Sequence, residues 1–188
     1  GPNSLMNSPA GVSPLANIRL KKCSRKSAVS DVWVVNASPL IILSRINRLD
    51  FLDSLAPTAL IPAAVIAEVS AGLHRDPSAA TTQQWAKGRI VPNLPLPTTV
   101  AAWGLGAGES QVIAHCLGNS HIGVLDDQAG RACARAHGVP LVGTLGVILL
   151  AQQQGLIKQA HPWIMQAQAA GLFLSPGLVT KVLASIGE

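Results

Sequence analysis

Leu125-Asp126-Asp127-Gln128-Ala129-Gly130-Arg131 places two adjacent carboxylates where an apolar run gives way to a helical pattern. Ahead of the pair, Ile122-Gly123-Val124-Leu125 reads as a short buried strand. Behind it, Ala129 to His137 reads as a helix stopped by Gly138. Ligands of open α/β sheets bind outside the carboxyl ends of the strands, which is where this pair falls. The chain holds only nine acidic residues. Two side by side at such a junction call for a divalent metal, unless one of them serves merely to cap the helix, as Asp does well.

Outward from this joint the same alternation recurs. Val32-Trp33-Val34-Val35 has the β-branched and aromatic character of a strand buried on both faces. Asn36-Ala37-Ser38-Pro39 ends it, with Ser38 as a cap and Pro39 at the first helical position. Ala59-Leu60-Ile61 reads as a second strand, followed by a helix from Pro62 that contains Glu68. A helix over Pro77 to Lys87, a brief strand at Arg89-Ile90-Val91 and a loop with three prolines from Pro92 to Pro97 come next. Gly104 to Gly108 reads as a turn from which Glu109 opens a helix to Leu117. Pro140 to Gly143 is a further strand. Helices over Thr144–Gln154, Pro162–Ala170 and Pro176–Ile186 close the chain. Strands alternating with helices mean right-handed crossovers and a central, mainly parallel sheet flanked by helices on both faces, an α/β fold of three layers.

The 188 residues suit one domain, and 48% hydrophobic against 12% charged residues supply ample core. No apolar run reaches the roughly 18 residues of a membrane span, and no secretory signal pattern is apparent. Three cysteines (Cys23, Cys116, Cys133) at no metal-ligand spacing fit reduced thiols, so the expectation is a cytoplasmic protein. The net charge of +5 comes from Arg19, Lys21, Lys22, Arg25 and Lys26, since basic and acidic residues balance from Val29 onward. Residues 1–30, with a tag remnant before Met6, are expected to form a weakly ordered basic arm, and residues 31–188 a single domain.

Several polar residues fall at element ends: Asn36, Glu68, Glu109, Asp126 and Asp127. Hard divalent cations such as Mg²⁺ bind oxygen ligands, usually a few carboxylates and waters. Singly, each acid has an ordinary role, Glu68 as a solvated helix residue and Glu109 as a favourable early-turn charge. Ser38 and Thr144 either cap helices or reach the site. Arg131, four residues after Asp127, forms a surface ion pair or contacts a substrate phosphate. Gly104-Leu105-Gly106-Ala107-Gly108 lacks the preceding strand and following Lys-Ser/Thr of a nucleotide-binding loop.

The segments VVNASPLIILSRINRLDFL, IPAAVIAEV, GAGESQVIAHCL and VLDDQAGRACARAHGVPLVGTLGVILLAQQQGLI occur in the order found in PIN-domain proteins. They most resemble the toxin-like, VapC-type branch, over about Val32 to Ile157. The resemblance implies a PIN-like fold and a Mg²⁺- or Mn²⁺-dependent ribonuclease. It also implies the toxin half of a toxin–antitoxin pair, with RNA as substrate, a cognate antitoxin as partner and a homodimer as assembly. By position, the family acids fall on Asn36, Glu68, Glu109 and either Asp127 or Asp126. Asn36 departs from the family's Asp, offering a neutral carbonyl oxygen and one charge fewer. The competing expectation is therefore a catalytically weak or inactive module that binds nucleic acid or protein. A Rossmann-like binder of small molecules is a third.

Overall fold

The computed structural model describes residues 32–72 and 76–188. The basic arm expected over residues 1–30 lies outside the described residues. Val32–Val35 forms β1, with Trp33 3% exposed and Val34 and Val35 fully buried. Successive side chains of a strand point to opposite faces, so burial of all three means that both faces of the sheet are covered. β1 pairs in parallel with β2 (Thr58–Pro62) on one side and β4 (Ile122–Val124) on the other. β3 (Ile90–Val91) lies outside β2 and β5 (Leu141–Val142) outside β4, giving the all-parallel order β3-β2-β1-β4-β5.

Parallel neighbours require crossover connections, and helices supply them. α1 (Ala37–Arg45) and α2 (Asp50–Leu55) join β1 to β2, and α3 (Ala63–Ala71) and α4 (Ser78–Ala86) join β2 to β3. α5 (Thr98–Ala101) and α6 (Ala107–Cys116) lead to β4, and α7 (Gln128–Ala136) leads to β5. α8 (Thr144–Gln153), α9 (His161–Ala169) and α10 (Pro176–Ile186) follow. This is the three-layer α/β architecture that the alternating pattern predicts. No helix among the described residues is long and apolar enough to cross a membrane.

The chain winds outward from β1 through β2 to β3, then returns across the sheet to start β4 on the other side of β1. The direction of winding therefore reverses between β1 and β4, and such a reversal opens a crevice at the carboxyl ends of the two strands. α6 contacts β1, β2 and β4. From Gly108 to Cys116 every residue of α6 except the half-buried Glu109 is buried. Among them Gln111 spans the backbone of Leu94, accepting its N–H and donating to its carbonyl, both at 2.8 Å. One side chain thus anchors a proline-rich loop that can form no ladder of its own.

Three local expectations shift. α1 starts at Ala37 with Asn36 in the capping position, so Ser38 and Pro39 lie inside the first turn and Ser38 is not the cap. α6 starts at Ala107, two residues before the expected Glu109, which brings Gly108 into its first turn. The short α5 falls where no element was expected.

Candidate active site

Asn36 closes β1, where its backbone N–H donates to the Val124 carbonyl of β4 at 3.1 Å and fixes it at the crevice. Its side chain makes no cap bond to α1. The residue is 2% exposed, and its Oδ1 is a buried acceptor without a partner. Buried polar atoms are nearly always satisfied, and an orphan costs about 1–3 kcal/mol. An oxygen held in this condition marks a place for an electropositive ligand.

Glu68 reaches the same place from α3, its Oε1 accepting the Gly108 backbone N–H at 2.8 Å. First-turn N–H groups have no partner within their own helix, so α6 offers this donor to the carboxylate. Gly108 is required by the close approach. A β-carbon there would stand 2.6 Å from Glu68 Oε2 and 2.8 Å from Asn36 Oδ1. Both oxygens therefore lean over the same backbone atom.

Glu109, the next residue, enters between them and Asp127. Burial pushes its carboxyl above the usual range, and the charges of Glu68 and Asp127 push it further. Polar contacts from the Gly106 backbone and the Asn36 amide offset this in part. Asp127 caps α7, its Oδ2 accepting the Gly130 N–H at 2.9 Å. A β-carbon on Gly130 would lie 3.4 Å from Glu109 Cγ and 3.8 Å from Asp127 Oδ2. Asn36, Glu68, Glu109 and Asp127, drawn from four elements, thus converge at the mouth of the β1–β4 crevice.

Asp126 turns the other way. Its Oδ1 accepts the Thr144 N–H at 2.7 Å, and its Oδ2 accepts the Thr144 hydroxyl at 2.6 Å and the Ser38 hydroxyl at 3.4 Å. Buried Thr144 therefore both starts α8 and ties it to the β4 end. Arg131 forms no ion pair with Asp127. Its Nη1 donates to the Leu125 carbonyl at 2.8 Å, and the guanidinium stands near Asp126 and Arg135. Adjacent in sequence, the two aspartates serve different neighbourhoods.

The donor set of the cluster is all oxygen: one amide carbonyl and three carboxylates. Among the described residues, no Lys, Arg or His forms an ion pair with Glu68, Glu109 or Asp127. Also among them, no three Asp, Glu, His or Cys side chains stand at the spacing of a ready-made metal centre. The orphaned amide oxygen and the mutually repelling carboxylates suit a hard divalent cation. Asn36 would contribute a neutral oxygen, and Glu68, Glu109 and Asp127 the charge.

Gly108 is the residue of this site that reading the sequence missed. The sequence pattern places it in a turn, yet it carries a signal: a glycine directly before a site acid, where the backbone must admit two other side chains. Gln111, which sets the loop beside α6, carries no such signal.

Comparison with protein families gives a match to the PIN domain over residues 32–188. Domains of this kind are generally nucleases and typically use divalent metal ions. No curated protein matches the chain. The match takes in all five strands and every residue of the acid cluster, and extends past Ile157 through the last helix. The chain belongs to the PIN-domain family.

Proposed function

We propose that this PIN domain is a metal-dependent endoribonuclease, acting as the toxin of a toxin–antitoxin pair. The observation that carries the nuclease reading is the unpartnered Asn36 Oδ1, buried among three carboxylates that have no cationic partner among the described residues. A bound divalent ion supplies Lewis-acid polarisation of a phosphodiester and a nucleophilic water. Glu68 is held by the Gly108 N–H and Asp127 by the Gly130 N–H, so each carboxylate keeps one oxygen anchored and the other free to turn toward a cation. Glu109 is half-buried between them, and a bound cation would favour its charged form by offsetting the charges of Glu68 and Asp127. Asp126, Ser38 and Thr144 brace the rim, and Arg131 stands beside it as a contact for the RNA backbone. The toxin role, with a cognate antitoxin, a homodimer and a cytoplasmic setting, rests on the likeness of the four sequence segments to the VapC-type branch.

A second reading has its own support. Asn36 removes one negative charge, and no acid triplet at metal-holding spacing exists among the described residues, as in a PIN domain kept for binding alone. Cleavage of a mixed single-stranded RNA pool across a Mg²⁺ and Mn²⁺ titration separates the two. The nuclease reading expects cleavage by the parent and none by Asp127→Ala. A silent parent beside an active Asn36→Asp variant would establish the binding module. Equal cleavage by parent and Asp127→Ala would end the metal-nuclease reading at this site.

A further inference from the structure

A groove of about 920 Å³ lies beside β5, the outermost strand on the β4 side. Its floor is aliphatic, built from Leu141 of β5, Leu145 and Leu150 of α8, Leu172, and Leu178 and Val182 of α10. Its rim is basic, with Arg131 and Arg135 from α7 and Lys181 from α10. The ion pairs among the described residues are Arg45–Asp76, Arg48–Asp50 and Arg89–Asp53, so none of these three cations is paired. The single acid on the groove wall, Asp126, is already engaged by the N–H and hydroxyl of Thr144. The cations oppose one another, since Arg135 adds to the burial that draws the Arg131 guanidinium below its usual range. At the mouth, Phe173 is 93% exposed.

We propose that this groove docks an acidic amphipathic peptide segment of a partner protein, aliphatic side chains on the floor and carboxylates against Arg131, Arg135 and Lys181. The lining selects the occupant. The chain's own N-terminal arm, with Arg19, Lys21, Lys22, Arg25 and Lys26, has the charge of the rim and is repelled by it. Two copies meeting groove to groove would bring six unpaired cations together. Single-stranded nucleic acid is anionic but gains its contact energy by stacking bases on aromatic faces. Here the floor is aliphatic, and of the two aromatic residues Trp33 is 3% exposed and only Phe173 is accessible. An apolar stripe bordered by Glu or Asp satisfies both floor and rim, in the manner of a helix laid in a groove. The attraction between the charges sets orientation and speeds encounter. This inference uses neither the metal nor the reaction; it shares Arg131 with the nuclease reading, and the variants that test it leave Arg131 in place.

Fluorescence anisotropy on the full chain tests it, with a labelled peptide of about 18 residues carrying Leu at i, i+3, i+4 and i+7 and Glu elsewhere. Saturable binding is expected, weakened about tenfold or more by R135E/K181E and by Leu178→Asp, and reduced by salt. All three substituted side chains are exposed, so unchanged far-ultraviolet circular dichroism and melting temperature are expected for both variants. A control peptide with Lys in place of Glu is expected not to bind. Failure of the Leu/Glu peptide to bind overturns the proposal, as does equal binding of the Leu/Lys peptide. A labelled oligouridylate that binds with dependence on Arg135 and Lys181 but indifference to Leu178→Asp would reassign the groove to nucleic acid.

Discussion

The carboxylate of Glu68 accepts the backbone N–H of Gly108 at 2.8 Å, across forty residues of sequence. That bond joins α3 to the first turn of α6 and draws a flexible acid to the buried amide of Asn36. Gly108→Ala tests how far the cluster depends on it. The new β-carbon would fall on Glu68 Oε2 and Asn36 Oδ1, so the carboxylate must swing away. Alanine favours the helix by up to about 1 kcal/mol over glycine, which limits the loss of stability. Isothermal titration with Mn²⁺ is expected to show affinity lowered by roughly tenfold or more, with a small change in melting temperature. Unaltered affinity would mean that the Glu68–Asn36 approach is incidental.

Glu109 gives stability a pH dependence of unusual sign. Its carboxyl in the folded chain lies above the ordinary 4.5, through burial first and then the charges of Glu68 and Asp127. The folded state thus holds this proton more tightly than the unfolded state. Stability from this group falls as pH rises from the ordinary glutamate range through the raised value, and stays lower above it. With chelator present, Glu109→Gln is expected to be more stable than the parent at neutral pH, with a flatter profile. Urea midpoints between acid and neutral pH check the slope. Added Mn²⁺ should stabilise the parent more than the variant, because only a ligand that binds the folded state contributes.

The two aspartates should part in their mutational effects. Asp127→Asn keeps a good helix cap but removes a charge from beside Glu109, so Mn²⁺ affinity and RNA cleavage are expected to fall while the fold holds. Asp126→Ala leaves the Thr144 N–H and hydroxyl without acceptors. A loss of about 1–3 kcal/mol is expected. Denaturation and metal titration on both variants measure the division, and a variant that fails in both respects equally would contradict it.

Gln111→Met replaces the amide that grips both backbone groups of Leu94 with an apolar chain of similar length. A loss of about 1–2 kcal/mol is expected. Limited proteolysis should then cut faster near Leu94 and Leu96, which are 38% and 40% exposed. An unchanged cleavage rate would show that the prolines alone hold the loop.

Much of this architecture is legible in local pattern. The runs Val32–Val35 and Ile122–Val124 announce strands buried on both faces, because nothing in them tolerates water. The alternation with helices forces parallel crossovers, and strand ends carrying Asn36 and the Asp126–Asp127 pair mark the mouth of the sheet. Capping was less legible. Ser, Asn and Asp cap by similar chemistry, so Asn36-Ala37-Ser38 does not by itself say which residue begins the helix.

The tertiary structure alone decided which polar groups meet. Asp126 and Asp127 are chemically identical neighbours, yet a backbone turn sends one to Thr144 and the other toward Glu109. Glu68 and Gly108 meet only because the sheet sets α3 and α6 side by side, and no periodicity encodes a contact across forty residues. The orphaned Asn36 oxygen and the clustering of Arg131, Arg135 and Lys181 beside β5 are likewise properties of assembly. Sequence pattern specifies which face of an element is buried, through the fixed geometry of helix and strand. Which side chain comes to face which depends on how those elements pack, and that is settled only when the whole chain has folded.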